Sequence, residues 1–272
     1  MLRAVMIALC LLPTYGSAQT KAPLEALKTP AQALPWQAVG RLDFEDGTCT
    51  GALIAPQLVL TAAHCVFDRQ GEMRDASGIT FRAGYRKGRA AATKRAKRIV
   101  THADYVDDGS ETSSLDLIAK DVAVIELVGP ILNAAVIPFE RHRQPPLDAR
   151  VIVVSYAKGR NDVASLEEGC KMFARYQGVL QYTCDVNFGA SGAPIFVMTD
   201  AGPKIASIIS AMTEHEGNRV ALGAPLGPAV DRLVRQLQTT NVDPRFVKST
   251  TPQSLPNIRK LSTRAGLPQI KR

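Results

Sequence analysis

Residues 188–194 read Phe188-Gly189-Ala190-Ser191-Gly192-Ala193-Pro194 and lie between the polar residues 183–187 and the apolar run 195–198. A serine flanked by glycines directly before an apolar strand can keep its hydroxyl accessible while neighbouring backbone N–H groups point at one spot. Acyl transfer requires this arrangement, because the attacked carbonyl oxygen becomes negative and needs donors already in place. Since Gly-Ser-Gly turns also join strands without any catalytic role, the prediction of a nucleophile depends on a base and an acid elsewhere.

A base and an acid occur in two other β-prone segments. His64 follows the apolar residues 58–62 and precedes Cys65, and Asp121 opens the strand-like run 121–127. An imidazole, with an ordinary pKa near neutrality, is suited to take the serine proton and return it to a leaving group. The order histidine, aspartate, serine is that of the chymotrypsin template and differs from the order in subtilisins and α/β-hydrolases. We therefore predict His64, Asp121 and Ser191 as catalytic residues.

The three stretches resemble the motifs of trypsin/chymotrypsin-like serine peptidases. Residues 60–65 (LTAAHC) resemble the TAAHC motif, residues 121–127 the DIALL-type motif, and residues 189–194 the GDSGGP motif. The likeness covers about residues 36–238. It implies an all-β fold of two antiparallel six-stranded β-barrels, with the first carrying His64 and Asp121, the second carrying Ser191, and the cleft between them.

The resemblance also implies roles for further residues. The backbone N–H groups of Gly189 and Ser191 would form the oxyanion hole, and Asp121 would orient the imidazole of His64. Bridges common in the family imply the disulfides Cys49–Cys65 and Cys170–Cys184.

Ala190 departs from the trypsin motif, which has an aspartate at this position. In that family the aspartate pairs with the new N-terminus that activation cleavage releases, so this route to activation has no partner here. No IVGG-like sequence precedes Trp36 either. Both features are similar to the bacterial trypsin-like and V8-like branch, and they predict an enzyme that is active without that ion pair.

The substrate preference has two alternatives. Asp185 lies six residues before Ser191, at the spacing of the trypsin aspartate that binds Lys or Arg, and Ser210 falls in the strand that resembles the family's substrate-binding strand. We take both as candidate substrate-binding residues. Because Ala211-Met212 replaces the usual Trp-Gly, a pocket for Glu built on Thr213 or His215 is the alternative.

Short β-prone segments separated by turns continue along the chain. They occupy residues 36–44, 49–54, 58–62, 79–85, 96–101, 121–127, 151–156, 170–176, 179–183, 195–198, 205–212 and 220–222. This series is typical of a sandwich or barrel. Segments 49–54 and 58–62 form a predicted hairpin that would bring Cys49 close to Cys65, and a second hairpin would turn at Gln177-Gly178. Residues 228–238 have helical apolar spacing and predict a C-terminal helix.

The ends of the chain differ from its centre. Residues 1–18 have the order of a secretory signal peptide: one charge at Arg3, an apolar run and a small-residue exit. Residues 19–35 are interpreted as an exposed lead-in or short propeptide, residues 36–240 as the peptidase domain, and residues 241–272 as a flexible basic tail. A secreted or periplasmic location follows, with no transmembrane segment after signal removal.

Five cysteines occur, and Cys10 would leave with the signal peptide. The remaining four favour disulfides in an exported chain, and four cysteines allow three pairings between which the residues alone do not choose. A zinc site is the alternative, but no CxxC spacing occurs. We expect neither a metal nor another cofactor.

The net charge of +8 is concentrated in residues 82–98 and in the tail. Basic runs can bind anionic surfaces, but only Tyr85 lies among these residues as a stacking aromatic, so nucleic acid is not an expected partner. The expected partners are protein or peptide substrates, with contact to anionic surfaces through the basic loop and tail. The alternative to a secreted serine endopeptidase is a catalytically silent binding protein of the same fold that uses these basic segments.

Overall fold

The computed structural model describes most of the predicted domain. The described residues are 24–107, 113–143, 145–187, 189–215 and 217–239. The predicted signal peptide (1–18) and the predicted basic tail (241–272) lie outside the described residues.

The described N-terminal segment contacts the domain at a few points. It contains strand β1 (Glu25–Ala26) and helix α1 (Pro30–Ala33), and α1 is capped by Thr29. Most of these residues are exposed, as expected for a lead-in, but Leu27 is buried and its N–H donates to the Ala164 carbonyl at 2.9 Å. The segment is thus attached to the second half of the molecule.

The first half is a closed antiparallel barrel of six strands. Its strands are β2 (Val39–Phe44), β3 (Gly47–Ala55), β4 (Leu58–Thr61), β5 (Thr80–Ala83), β6 (Ala92–Thr101) and β7 (Ala123–Leu127). Large apolar side chains from these strands, including Leu42, Phe81 and Ile125, are fully buried inside it. Helix α2 (Leu115–Lys120) precedes β7 and was not predicted from the sequence.

The second half is a seven-stranded antiparallel sheet. Its longer strands are β8 (Arg150–Ala157), β9 (Arg160–Tyr176), β10 (Val179–Tyr182), β11 (Pro194–Thr199), β12 (Gly202–His215) and β13 (Asn218–Pro225). Because β9 pairs with both β8 and β10, these six strands close into a ring, and β1 is added on β9. The predicted fold of two six-stranded barrels is confirmed.

Two local predictions had different outcomes. The hairpin between β9 and β10 turns at Gln177 and Gly178, which have φ of 48° and 84°, as predicted. The first strand, however, begins at Val39 and not at Trp36, because Trp36 ends a 3-10 turn (Leu34–Trp36). There the Trp36 ring packs against Phe196 of the other half, with ring centroids 5.1 Å apart.

Helix α3 (Gly227–Thr239) ends the described chain, and it confirms the predicted C-terminal helix. Val230, Leu233 and Leu237 form its buried face, which packs against β6 and β7 of the first barrel. The helix thus crosses from the second half back to the first. Within the described ranges, no helix has the length and apolar character needed to cross a membrane.

Candidate active site

His64 and Asp121 are joined by two hydrogen bonds. The backbone N–H of His64 donates to Asp121 Oδ1 at 2.8 Å, and His64 Nδ1 lies 2.7 Å from Asp121 Oδ2. Since a carboxylate only accepts, Nδ1 carries the proton, and the neutral imidazole has its acceptor at Nε2. The pair therefore orients His64 with the tautomer that a general base requires.

Asp121 is placed by a helix end and not by a strand, which corrects the sequence prediction. It is the C-terminal cap of α2, with its N–H donating to the Ile118 carbonyl at 3.2 Å, and β7 begins two residues later. The helix forms because the Ser114 hydroxyl accepts the Leu117 N–H as an N-cap. The apolar run after Asp121 correctly predicted strand β7, but the helix before Asp121 was not predicted.

The Asp121 carboxyl is buried and yet charged. Burial alone would raise its pKa, but the interaction with His64 and the hydrogen bonds from His64 and Ser210 outweigh this and hold its pKa below the ordinary value. The Ser210 hydroxyl donates to Asp121 Oδ2 at 2.5 Å. Ser210, which the sequence indicated only as a substrate-binding candidate, thus contacts the acid directly.

Ser191 lies in a cleft next to this pair. Ser191 and Ser210 both line the same small pocket, so the residue that contacts Asp121 also faces the serine. Among the described residues, no hydrogen bond joins Ser191 Oγ to His64 Nε2. Such bonds are often long in an unliganded site and tighten only around a substrate.

The serine turn, by which we mean residues 185–187 and 189–192, is bound to the first barrel through Thr50, a residue that no motif indicates. The Thr50 N–H donates to the Ser191 carbonyl at 2.9 Å, and its hydroxyl lies 3.0 Å from the Gly189 carbonyl and 3.0 Å from the Tyr156 N–H. Thr50 is fully buried. A threonine within the apolar segment 49–54 was the only signal for it in the sequence.

Gly192 explains the close approach of the two halves. Its φ is +74°, and a Cβ at this position would lie 2.1 Å from Thr61 Oγ1 and 2.4 Å from the Thr50 carbonyl. Only glycine fits here. Gly192 therefore packs directly on β3 and β4, and β4 is the strand that precedes His64.

Gly189 and Ser191 have N–H groups that donate to no other group in the described part of the chain. Gly189 has a φ of +87° and lies against the backbone of Tyr156 and Ala157. Ala190 between them is fully buried, and its own N–H donates to the Asn187 carbonyl at 3.0 Å. The two outer N–H groups are thus available to an external acceptor.

Both predicted disulfides are confirmed. Cys49 is bonded to Cys65, directly beside His64, and Cys170 is bonded to Cys184, seven residues before Ser191. The bridges therefore fix the chain close to both candidate catalytic side chains.

Two clusters of potential metal ligands coincide with the disulfides. One combines His64 with the bridge Cys49–Cys65, and the other combines Glu167 with the bridge Cys170–Cys184. Because the sulfurs of each cluster are bonded to one another, they are not thiolate ligands. Each cluster therefore has one side chain that could bind a metal, His64 in the first and Glu167 in the second.

The pocket beside Ser191 has a mostly apolar wall. It is lined by Val186, Asn187, Ser191, Ile209, Ser210, Ala211 and Met212. Asp185 is not among these residues. Its side chain is 46% exposed and its carboxylate lies 3.3 Å from Arg219 Nη1, so a role of Asp185 in substrate binding stays a prediction.

The candidates for a Glu pocket were Thr213 and His215. Neither of them lines the pocket beside Ser191, and the His215 ring stacks on Phe173, with ring centroids 5.5 Å apart.

The basic loop is partly neutralised within the protein. Arg82 pairs with Asp43, and Lys97 and Arg98 pair with Glu126. The predicted contact with anionic surfaces stays a prediction, since the tail lies outside the described residues.

Comparison with known proteins places this geometry in a family. The Trypsin family matches residues 26–231 of the chain. Trypsin Blo t 3 of Blomia tropicalis is 29% identical over 153 residues, which are 54% of this chain and 52% of that protein. The glutamyl endopeptidase of Bacillus licheniformis is 24% identical over 169 residues, 62% of this chain and 51% of that protein. The chain thus spans about half the length of these curated relatives.

The fold has solved relatives as well. The structure of a Glu endopeptidase in complex with MPD covers 79% of this chain and 98% of its own, with a TM-score of 0.64 and 18% identity. At this identity the likeness shows the fold alone. The family match, in contrast, extends over more than half of the residues and includes His64, Asp121 and Ser191, and this chain therefore belongs to the trypsin family.

Proposed function

We propose that the chain is a secreted serine endopeptidase that hydrolyses peptide bonds through an acyl-enzyme, with His64, Asp121 and Ser191 as its catalytic residues. The observation that carries this proposal is the doubly hydrogen-bonded pair of His64 and Asp121 next to the pocket that Ser191 lines. Two disulfides favour an oxidising compartment and hence export.

Each step of the reaction has a group to perform it. Ser191 Oγ attacks the carbonyl carbon of the scissile bond, and its proton passes to His64 Nε2. The tetrahedral intermediate collapses, the C–N bond breaks, and the amine leaves with that proton. Water then attacks the acyl carbon and gives a proton to the same nitrogen. The bond between this carbon and Ser191 Oγ breaks, His64 returns the proton to Ser191 Oγ, and the acid product leaves.

Asp121 and the serine turn stabilise the charges that develop. The carboxylate of Asp121 faces the imidazolium that forms on His64, and burial strengthens this interaction. The available N–H groups of Gly189 and Ser191 would receive the oxyanion. Both features support acyl transfer.

The pocket supports a preference for an apolar residue before the cleaved bond. Val186, Ile209 and Met212 contribute apolar side chains, and none of the described residues that line it is charged. A basic substrate side chain would need a free carboxylate, but the Asp185 carboxylate already lies near Arg219. An acidic substrate side chain would need a cation in the pocket, because burying a charge without a partner is costly.

The chemical step can be tested with a fluorophosphonate probe, which reacts with activated serines. We expect the purified protein to be labelled at Ser191, the variant Ser191→Ala to remain unlabelled, and the variant Ser77→Ala, which changes an exposed serine, to label normally. A folded wild-type protein that fails to label in every processed form would contradict the proposal and favour the silent binding protein.

The pocket can be tested with peptides that differ only in the residue before the cleaved bond. We expect kcat/KM to be at least about tenfold higher for Leu or Met than for Lys or Glu. This ratio should be unchanged in Asp185→Ala. A preference for Lys that disappears in Asp185→Ala would instead restore Asp185 as the specificity residue.

A further inference from the structure

Glu167 is an acidic side chain with an unusual location. It lies on β9 and is only 2% exposed, whereas its neighbour Glu168 is exposed. Glutamates are almost never fully buried unless they are paired, because removing a carboxylate from water is costly. The position of Glu167 therefore requires an explanation that the catalytic residues do not provide.

The Glu167 carboxylate binds the beginning of the serine turn. The backbone N–H of Asp185 donates to both of its oxygens, at 2.9 Å and 3.0 Å. Asp185 directly follows Cys184, whose disulfide partner Cys170 is three residues after Glu167. The partly buried Arg160 interacts electrostatically with Glu167. The carboxylate and the disulfide thus form two adjacent links between β9 and the turn.

The far end of the turn is held in a different way. The Ser191 carbonyl accepts the Thr50 N–H, and the Gly192 N–H donates to the Ile209 carbonyl at 2.7 Å. Between the two ends, the fully buried side chain at position 190 is an alanine in an apolar cluster. A charged side chain at 190 could anchor the middle of the turn, but this chain has none there. The contact described for the middle of the turn comes from a neutral group, since the Thr50 hydroxyl lies 3.0 Å from the Gly189 carbonyl.

We propose that Glu167 is a positioning residue that orders the described parts of the turn, residues 185–187 and 189–191, so that the N–H groups of Gly189 and Ser191 face the oxyanion. It supplies from β9 a charged anchor that Ala190 cannot supply. This inference rests on the proposed function, because it assigns the turn to catalysis.

The charge of Glu167 is the important property. A hydrogen bond from an N–H to a carboxylate is about twice as strong as one to a neutral acceptor. Glutamine has the same shape, but its NH2 group cannot accept, so the Asp185 N–H would keep one neutral acceptor instead of two charged ones. The variant Glu167→Gln should therefore loosen the turn without changing the packing around it.

The test compares Glu167→Gln with its matched control Glu168→Gln, which makes the same chemical change at an exposed site. For Glu167→Gln we expect kcat on a peptide substrate to fall about tenfold to hundredfold with KM within about twofold. Affinity for a peptide aldehyde should fall in parallel, since its tetrahedral adduct uses the oxyanion hole. For Glu168→Gln all three values should stay within about twofold of wild type.

A purely structural role would give another pattern. The midpoint of urea unfolding would fall, but kcat per titrated active site and aldehyde affinity would match wild type, and this result would overturn the proposal. If Glu167→Gln does not fold, Glu167→Asp is measured in its place. This variant keeps the charge but is one methylene shorter, so we expect a smaller fall in kcat, and wild-type kinetics would again overturn the proposal.

Hydrogen exchange separates this proposal from the proposed function. We expect backbone amides of residues 185–191 to exchange faster in Glu167→Gln than in wild type, while those of β3 and β4 stay unchanged. This difference does not require an active enzyme. Absence of fluorophosphonate labelling would thus reject the proposed function, whereas equal exchange rates would reject the role of Glu167.

Discussion

His64 and Asp121 are held in the first barrel by their own side chains, whereas Ser191 is held in the second half by the backbone around it. The acid and the base contact each other through two hydrogen bonds, and Ser210 adds a third to the Asp121 carboxylate. The serine turn is fixed through the N–H and carbonyl groups of Thr50, Asp185, Ser191 and Gly192. In the proposed enzyme, side-chain contacts would orient the base, and backbone contacts would position the nucleophile and the oxyanion donors.

The largest expected effect follows from changing the contact between His64 and Asp121. In Asp121→Asn the amide NH2 group would face His64 Nδ1 and favour the wrong tautomer, and we expect kcat to fall by about 10⁴-fold. The matched control is Asp116→Asn, since Asp116 is a 73% exposed acid on α2 that pairs with Lys120. Steady-state kinetics of both variants measure kcat. An equal loss of kcat in Asp116→Asn would contradict the role of Asp121 in orienting His64.

The two disulfides give a direct comparison of the halves. Their loops are of similar size, with sequence separations of 16 and 14 residues, so replacing either pair of cysteines by serines should lower the free energy of unfolding by about 3 kcal/mol. Urea denaturation measures both losses. A much smaller loss for Cys170–Cys184 would show that other contacts already hold the serine turn.

Thr50 connects the halves, and its hydroxyl can be removed with little change of shape. In Thr50→Val the buried N–H of Tyr156 loses its acceptor, and we expect the free energy of unfolding to fall by about 1–3 kcal/mol. The control Thr48→Val changes a threonine on the same strand, and it should alter stability by less than about 0.5 kcal/mol. Urea denaturation checks both, and equal losses would remove the argument for Thr50 as the connection.

The pH dependence of stability tests the charge on Asp121 and has the smallest expected effect. Its pKa in the folded protein lies below the ordinary value of 3.8. A depressed pKa stabilises the fold at pH values above the unfolded pKa, and this contribution disappears as the pH falls through the folded pKa.

The stability difference between wild type and Asp121→Asn should thus shrink in acid, because Asp46, Glu140 and the other carboxylates with lowered pKa values are common to both proteins. Urea denaturation from about pH 7 to about pH 2 measures this difference. A constant difference would show that the charge of Asp121 contributes no stability.

The same contrast explains what could be predicted from the sequence. His64, Asp121 and Ser191 would act through particular side chains, so motifs and their order predict them as catalytic residues, and the strand series predicted the barrels. Thr50 and Glu167 act on backbone groups of distant residues, which leave no motif, and nothing in Glu167-Glu168 indicates which glutamate is buried. Helix α2 was missed because its capping signal at Ser114 is short and lies next to a strong strand pattern.

The proposed function requires Ser191 and His64 to act as one unit, although different kinds of contact hold them. The most direct measurement is the kcat of Ser191→Ala, His64→Ala and the double variant on one peptide substrate. We predict that the double variant is about as slow as either single variant, because each substitution already removes the whole unit. A double variant whose loss is the product of the two single losses would show that the residues act independently and would contradict the account.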